Sequence, residues 1–463
     1  MKVARWKVVG LAGALALGYV ASADAAQIKV DDKTWANFGL NMKIWYYNLD
    51  KRSNSTSDGG WTQNKFDVGQ TKVYFTGQVT PLFQFYVELD TNGASGTTTN
   101  GEAGINLAFA KEFQVLAGKI RRPFTRAQLS SGYALLTPQG YWLDPQKQLG
   151  QADALKAALG STDVGLMVHG DLAGGMFRYR VGVYNENRDL NNKLWVGTYN
   201  ETDPSKTFGW IKLDDKTKIG SFMIDTFPYD YQQTPGTKAN NLKNFEWNAR
   251  IEFTPTMLGF KPESAATTTA KIGDTYLGSK DVFTIGLGYH AETHTPKAYI
   301  EDNLGDLKRK GWTIDAMFEK KFGNLVPNLQ IGYISLDKTH YYVDYEKERF
   351  KKGDSDIWYV TGQLLFDQVM WLGKPAIAFR YEKIKADGQY YDPDAEIIKK
   401  DLTTETFGLA FNYYIKGQAA RISLGFDQTK YKDALKYFLK YADPKTKKED
   451  SITDWYIYFQ SQF

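Results

Sequence analysis

The sequence predicts an all-β protein, a transmembrane antiparallel β-barrel of about 16 strands, and three observations carry that reading. Apolar and polar residues alternate with period two along nearly the whole chain. Short connections take turns with long polar ones, and the polar side of the strands carries charge in mid-strand. Composition narrows the field. The 463 residues are 42% hydrophobic and 15% aromatic, with no cysteine, and mean hydropathy is −0.46. A helical membrane protein needs runs of about 18 or more apolar residues, which this hydropathy leaves no room for. Without cysteine there is no disulfide scaffold, thiolate metal site or cysteine nucleophile. With 27 Phe, 30 Tyr and 12 Trp the chain is far too aromatic for disorder. The 57 Lys+Arg against 53 Asp+Glu leave no excess of positive charge to argue for nucleic acid.

Residues 1–25 read as a secretory signal peptide: Lys2, Arg5 and Lys7, an apolar stretch from Val8 to Ala21, then Ala23-Asp24-Ala25 as a small-x-small cleavage site. The apolar stretch is short for a membrane anchor. Residues 26–463 are read as one barrel domain, exported from the cytoplasm.

The strands follow in order. Phe38, Leu40, Met42, Ile44 and Tyr46 alternate with Asn37, Gly39, Asn41 and Lys43, the pattern of a strand with two unlike faces. Val73, Phe75 and Val79 oppose Lys72, Thr76 and Gln78. Across the tight turn Thr80-Pro81-Leu82, Phe83, Phe85, Val87 and Leu89 oppose Gln84, Glu88 and Asp90. Phe177, Tyr179, Val181 and Val183 face away from Arg178 and Arg180, and Phe245, Trp247, Ala249, Ile251 and Phe253 from Glu246, Asn248, Arg250 and Glu252. Trp312, Ile314, Ala316 and Phe318 oppose Thr313, Asp315 and Glu319. The last strands place Phe407, Leu409 and Phe411, then Ile422, Leu424 and Phe426, then Trp455, Ile457 and Phe459 on one side. About 16 strands leave roughly 27 residues for each strand with its connection, which suits strands of about 10 residues.

Short connections at 80–82, 111–112, 171–175, 322–328 and 416–418 alternate with long polar ones at 49–65, 91–103, 121–162, 185–243, 337–354, 385–402 and 430–453. Short turns on one side and long loops on the other is the layout of an outer-membrane barrel. One connection, 254–280, is long where parity asks for a turn. Either an insertion lies there, or the region around 219–227 holds uncounted strands.

A soluble exported β-protein also alternates, but it needs a second layer over its apolar face. Charges such as Arg178, Arg180, Glu246, Arg250, Glu252, Asp315, Glu319, Arg380 and Arg421 on the polar face are costly in a dry core. They suit a water-filled lumen, with the apolar face turned to lipid. Aromatic residues at strand ends, Trp35, Tyr46, Tyr47, Trp312, Trp358, Trp371 and Trp455, suit interfacial girdles.

Phe463, ending an alternating aromatic strand, resembles the C-terminal signal read by the bacterial barrel-assembly machinery. Ala117-Gly118-Lys119-Ile120-Arg121-Arg122-Pro123-Phe124 resembles the glycine-lysine, proline-phenylalanine stretch that closes the fifth strand in the phosphate-selective porin O and P family. So do Asp163-Val164-Gly165, the Gly182-Val183-Tyr184-Asn185 strand end, and Gly408, Asn412-Tyr413-Tyr414 and Ala420-Arg421-Ile422 in the penultimate hairpin. The resemblance spans the mature chain. It implies a sixteen-stranded homotrimeric porin in the bacterial outer membrane, its third extracellular loop folded inward as a constriction. The departures are the long 254–280 connection and the lack of a lysine cluster in the third loop.

By parity, 121–162 is that third loop, with a short helix expected over Gln151 to Leu159 before Gly160. Long connections in compact folds are usually functional. Lys119, Arg121, Arg122 and Arg126 fall within eight residues at its start, and rings of Arg and Lys in a pore favour anions. These four are the expected constriction, and Glu at Arg121, Arg122 and Arg126 is expected to reverse or flatten the selectivity. An alternative is that the arginines bind wall carboxylates or lie at the outer rim. The strand charges listed above line the expected lumen in near balance, which suits a general diffusion pore for small hydrophilic solutes.

Catalysis is poorly supported. His169, His290, His294 and His340 are the four histidines, and no Gly-x-Ser-x-Gly, His-Glu-x-x-His or glycine-rich phosphate loop accompanies them. No cofactor or metal is expected, although acidic loop clusters at Glu301, Asp302 and Asp306 or at Asp354 and Asp356 offer oxygen ligands to divalent cations or to bridges with lipopolysaccharide. Besides a passive porin, two readings stay open: an outer-membrane barrel enzyme and a soluble exported β-rich binding protein.

Overall fold

The computed structural model describes residues 26–52, 61–91, 98–141, 159–185, 193–198, 208–212, 245–263, 269–294, 307–347, 349–392, 397–441 and 451–463. The signal peptide at 1–25, residues 151–158 of the helix expected over Gln151 to Leu159, the region 219–227 and the acidic cluster at 301–306 lie outside them. The strands are β1 (Ala26–Lys29), β2 (Trp35–Arg52), β3 (Trp61–Gln78), β4 (Phe83–Thr91), β5 (Thr98–Ala108), β6 (Gln114–Arg121), β7 (Thr162–Leu172), β8 (Phe177–Asn185), β9 (Lys193–Thr198), β10 (Phe208–Lys212), β11 (Phe245–Phe253), β12 (Val282–His294), β13 (Leu307–Glu319), β14 (Leu325–Asp344), β15 (Arg349–Phe366), β16 (Lys374–Asp392), β17 (Ile397–Lys416), β18 (Ala420–Lys432) and β19 (Ser451–Gln462).

Sixteen of them, β2 to β8 and β11 to β19, form one closed antiparallel ring. Each pairs with the next, β8 pairs directly with β11, and β19 returns to β2. The seam is completed by Phe463, whose N–H donates to the Leu40 carbonyl while its own carbonyl accepts from Leu40 N–H, both at 3.0 Å. Past that point β1 takes the same edge of β2, pairing Ala26 with Phe38 and Lys29 with Trp35.

The two faces of the ring are inverted relative to a water-soluble sheet. In β11, Trp247 and Ile251 are 54% and 50% exposed, while Glu246, Asn248, Arg250 and Glu252 are buried. In β8, Phe177 and Val181 face out and Arg178 and Arg180 face in. Aromatic rows run over the outer face, Trp312–Tyr333–Trp358 and Phe407–Phe426–Trp455, with ring centroids 4.9–6.1 Å apart. Left in water, each such side chain forgoes about 1.5–3 kcal/mol of burial, which contact with lipid restores. Ile314→Arg on this face is expected to destabilise the barrel by about 2–4 kcal/mol in denaturant unfolding from lipid vesicles. A change below about 0.5 kcal/mol, the usual surface value, would mean the face meets water instead.

Two expectations are corrected. The connections expected at 337–354 and 385–402 are mostly strand: β14 and β15 leave only 345–348 between them, and β16 and β17 only 393–396. Twenty residues at about 3.3 Å each make a strand of roughly 66 Å, well beyond an apolar band of about 25 Å even when tilted. These strands project past the band and carry polar residues on both faces there, which the alternation test reads as loop. The long connection between β11 and β12 keeps the ring parity, so it is an insertion. It leaves from the same end as the short turn between β7 and β8, since Phe253 pairs with Phe177.

Candidate functional site: two segments that meet inside the barrel

The segment after β6 lies along the inner wall. Thr125 caps a one-turn helix, Arg126–Leu129, through a capping box with Gln128. Phe124, fully buried, lies where β12 and β13 leave room: a Cβ on Gly288 would stand 2.1 Å from its carbonyl oxygen. Further along, five adjacent wall strands each present one inward donor to a loop carbonyl. Lys43 Nζ (β2) donates to Gly132 at 2.7 Å, Gln460 Nε2 (β19) to Tyr133 at 2.9 Å and Arg421 Nη1 (β18) to Leu135 at 2.6 Å. Asn412 Nδ2 (β17) donates to Leu136 at 2.8 Å, and Arg380 Nη1 (β16) to Gly140. Tyr141 then packs edge-on against Tyr359 of β15. Residues 132–141 thus form a belt held through its main chain, a mode of attachment that places few demands on the belt's own side chains.

The insertion between β11 and β12 reaches the same place. Ser131 N–H donates to the Ile272 carbonyl at 2.9 Å and Ile272 N–H to the Leu129 carbonyl at 3.1 Å. Arg126 makes a bidentate pair with Glu263, at 2.7 and 2.8 Å, and also donates to Gln330 Oε1 at 3.1 Å and the Gly273 carbonyl at 2.8 Å. Asp274 accepts from Ser130 Oγ and from Tyr141 Oη at 2.9 Å. Glu319 of β13 accepts from Thr275 Oγ1 and from the N–H groups of Tyr276 and Gly278, at 2.7–3.1 Å. Burial disfavours the Glu263 carboxylate, but the Arg126 guanidinium outweighs it and holds the group below its ordinary pKa. Burial raises Asp274 despite Arg126 and its two hydroxyl donors.

The expected site residues separate into three groups. Lys119 does not join the others: it stands in register with Ala103 and with the exposed Val164, on the outward side of β6. Arg122 and Arg126 are fully buried, Arg122 against Glu246 at 2.8 Å. Arg121 pairs with Glu102 at 2.8 Å. The arginines therefore meet carboxylates, the alternative reading of the sequence. Glutamates in their place would set like charges against Glu102, Glu246 and Glu263, so the expected reversal on substituting all three is replaced by loss of the local structure.

The wall charges Arg178, Arg180, Glu246, Arg250, Glu252, Asp315, Glu319, Arg380 and Arg421 all lie buried on the inner face. Over β7 to β13 they interlock: Arg178 with Asp171 and Glu252, Arg180 with Glu252, Arg250 with Glu252 and Asp315, Arg309 with Glu292, at 2.6–3.1 Å. With Arg122 and Glu246 this network holds five cations against five anions; Glu319 stands outside it, met by Thr275 Oγ1 and the N–H groups of Tyr276 and Gly278. Arg380 pairs with Asp427 at 2.8 Å, whereas Arg421 lies over the rings of Tyr414 and Tyr458 at 5.7 and 5.2 Å.

Sequence reasoning placed Glu88 on the polar face of its strand but passed over Glu102, Glu263, Lys271 and Asp274. Lys271 pairs with Glu102 at 3.2 Å and with Glu88, which also holds Lys72 at 3.1 Å. The signal available was the length of the 254–280 connection against parity, which marked the segment without marking its residues.

Residues 37–204 match the family model for phosphate-selective porin O and P. The chain is 26% identical over 324 residues to an "Uncharacterized protein" of Aquifex aeolicus, covering 69% of this chain and 59% of that protein's own length. Its fold is similar to an anion-selective porin from Comamonas acidovorans, with a TM-score of 0.50, 8% identity, and 93% of this chain and all of that chain covered. The outer membrane channel DcaP of Acinetobacter baumannii superposes with a TM-score of 0.47 at 8% identity, over 94% of this chain and 99% of that one. The likeness to the Comamonas porin agrees with the closed antiparallel barrel described above.

Proposed function

We propose that this chain is an outer-membrane porin of bacteria, a passive diffusion channel for small hydrophilic solutes with a weak preference for anions, assembled as a homotrimer. The observation that carries the reading is the sixteen-strand ring itself, apolar outside and charged inside, which stands stably only between lipid and an aqueous interior. The segment 122–141 supplies the constriction, with Arg122 and Arg126 as its anchors. Residual positive charge comes from the β2–β5 side, where Lys72, Lys271 and Arg121 face Glu88 and Glu102. Fixed charge there raises the local concentration of the opposite ion. The β19 strand ending on Phe463 fits recognition by the barrel-assembly machinery, and the loop ends fit contact with lipopolysaccharide.

The test is conductance of the refolded chain in a planar bilayer under a salt gradient. Stable open steps are expected, with a reversal potential of the anion-preferring sign, and Arg121→Gln should move that potential toward zero while the steps persist. A refolded, heat-modifiable protein that never opens would sink the channel reading. Open steps with no preference would leave the channel and remove the anion.

A further inference from the structure

The charge on the β2–β5 side is set by a residue that does not belong to that side. Lys271 is attached between β11 and β12, four to six strands away around the ring from β4 and β5, yet its ammonium lies between Glu88 of β4 and Glu102 of β5. Each carboxylate already has a wall-side cation, Lys72 on Glu88 at 3.1 Å and Arg121 on Glu102 at 2.8 Å. Those four charges form two matched pairs. Lys271 is the surplus. This cluster also differs from the arginine wall in access: Lys72, Glu88 and Lys271 keep 12%, 13% and 14% of their side-chain surface open, whereas the arginines of the β7–β13 wall keep 2% or less. Ions that enter the barrel meet the first set.

We propose that Lys271, delivered from the short-turn end of the barrel by the connection between β11 and β12, fixes the sign of the ion preference, so that the filter is assembled from both ends of the barrel. The inference rests on the channel reading above. The connection is positioned for this task by contacts that do not involve Lys271: Glu263 on Arg126, Asp274 on Ser130 and Tyr141, and the main-chain bonds between Ile272 and residues 129 and 131. A substitution at Lys271 therefore changes charge while leaving the segment docked.

The experiment compares full-length wild type, Lys271→Arg, Lys271→Gln and Lys271→Glu in planar bilayers under a potassium chloride gradient. Lys271→Arg is expected to keep the wild-type reversal potential and Lys271→Gln to shift it toward zero. Lys271→Glu, with two more negative charges at the filter, should cross to cation preference, a change of roughly tenfold in the permeability ratio from the arginine variant. Stable open steps should persist in every variant. Should Lys271→Glu fail to fold, judged by loss of heat-modifiable migration, Lys271→Gln still carries the comparison. Lys271→Glu with Glu88→Lys should restore the anion sign. A wild type that conducts and a Lys271→Gln or Lys271→Glu variant with unchanged reversal potential would overturn this proposal alone, whereas a silent wild type would overturn the channel reading beneath it.

Discussion

Replacing Arg126 by alanine is expected to open the channel: larger and more heterogeneous conductance steps, with a lower unfolding temperature. Arg126 is the joint between the two inward segments, bonded to Glu263 and Gly273 of one while sitting in the helical turn at the start of the other. Among the described residues, its removal leaves the buried Glu263 carboxylate with Tyr276 Oη, at 2.5 Å, as its hydrogen-bond partner. Breaking a buried ion pair in this way costs about 3–5 kcal/mol. The cheapest relief is for the connection between β11 and β12 to leave the belt, which returns Glu263 to water and widens the lumen. The double variant Arg126→Met with Glu263→Met separates this from a packing defect, because exchanging the whole pair for apolar groups of similar volume is close to neutral. It should restore the narrow conductance state that Arg126→Ala alone loses. An Arg126→Ala channel with wild-type steps and wild-type stability would show that the joint bears no load.

The barrel was legible in the sequence because lipid and lumen write the same rule on every strand. Ile251 beside Arg250 and Ile314 beside Asp315 need no partner to be assigned a face. The two segments that meet at Arg126 were legible only in outline. Arg121, Arg122 and Arg126 were found, but their charge is cancelled by Glu102, Glu246 and Glu263, the last of these 137 positions away. Nothing local records such a pairing. Lys119 was grouped with them by spacing along the chain, whereas it stands opposite the exposed Val164 and only Arg121, at the last residue of β6, reaches inward to Glu102. The five donors that hold residues 132–141 act on carbonyls, so the belt's own sequence carries little trace of them. Lys271 was hidden for the opposite reason, as one lysine in a segment whose only anomaly was its length.

The same limits apply at the other end of the barrel, where Trp195→Ala is expected to release the β9–β10 hairpin while leaving the ring intact. Trp195 is fully buried among Tyr342, Tyr390, Leu402, Tyr431, Leu435 and Ile452, and its Nε1 donates to the Gln389 carbonyl at 2.7 Å. Through it β9 pairs in parallel with β14 at Tyr341 and Tyr342 and with β16 at Tyr390 and Tyr391. Those two strands are not neighbours in the ring, so β9 reaches between the tall strands instead of extending the wall. Truncating a buried tryptophan costs about 3–5 kcal/mol, more than the few main-chain bonds left to β9 can offset at a net of about 0.5–1.5 kcal/mol each. The sixteen-strand ring contains none of these bonds, so heat-modifiable migration should be unchanged. The peptide bonds after Lys193 and Lys212, which lie opposite each other in the paired hairpin, should become cleavable by trypsin in the folded protein. Wild-type resistance at both sites would mean that the hairpin is held by its own pairing, and that the tryptophan only fills space beneath it.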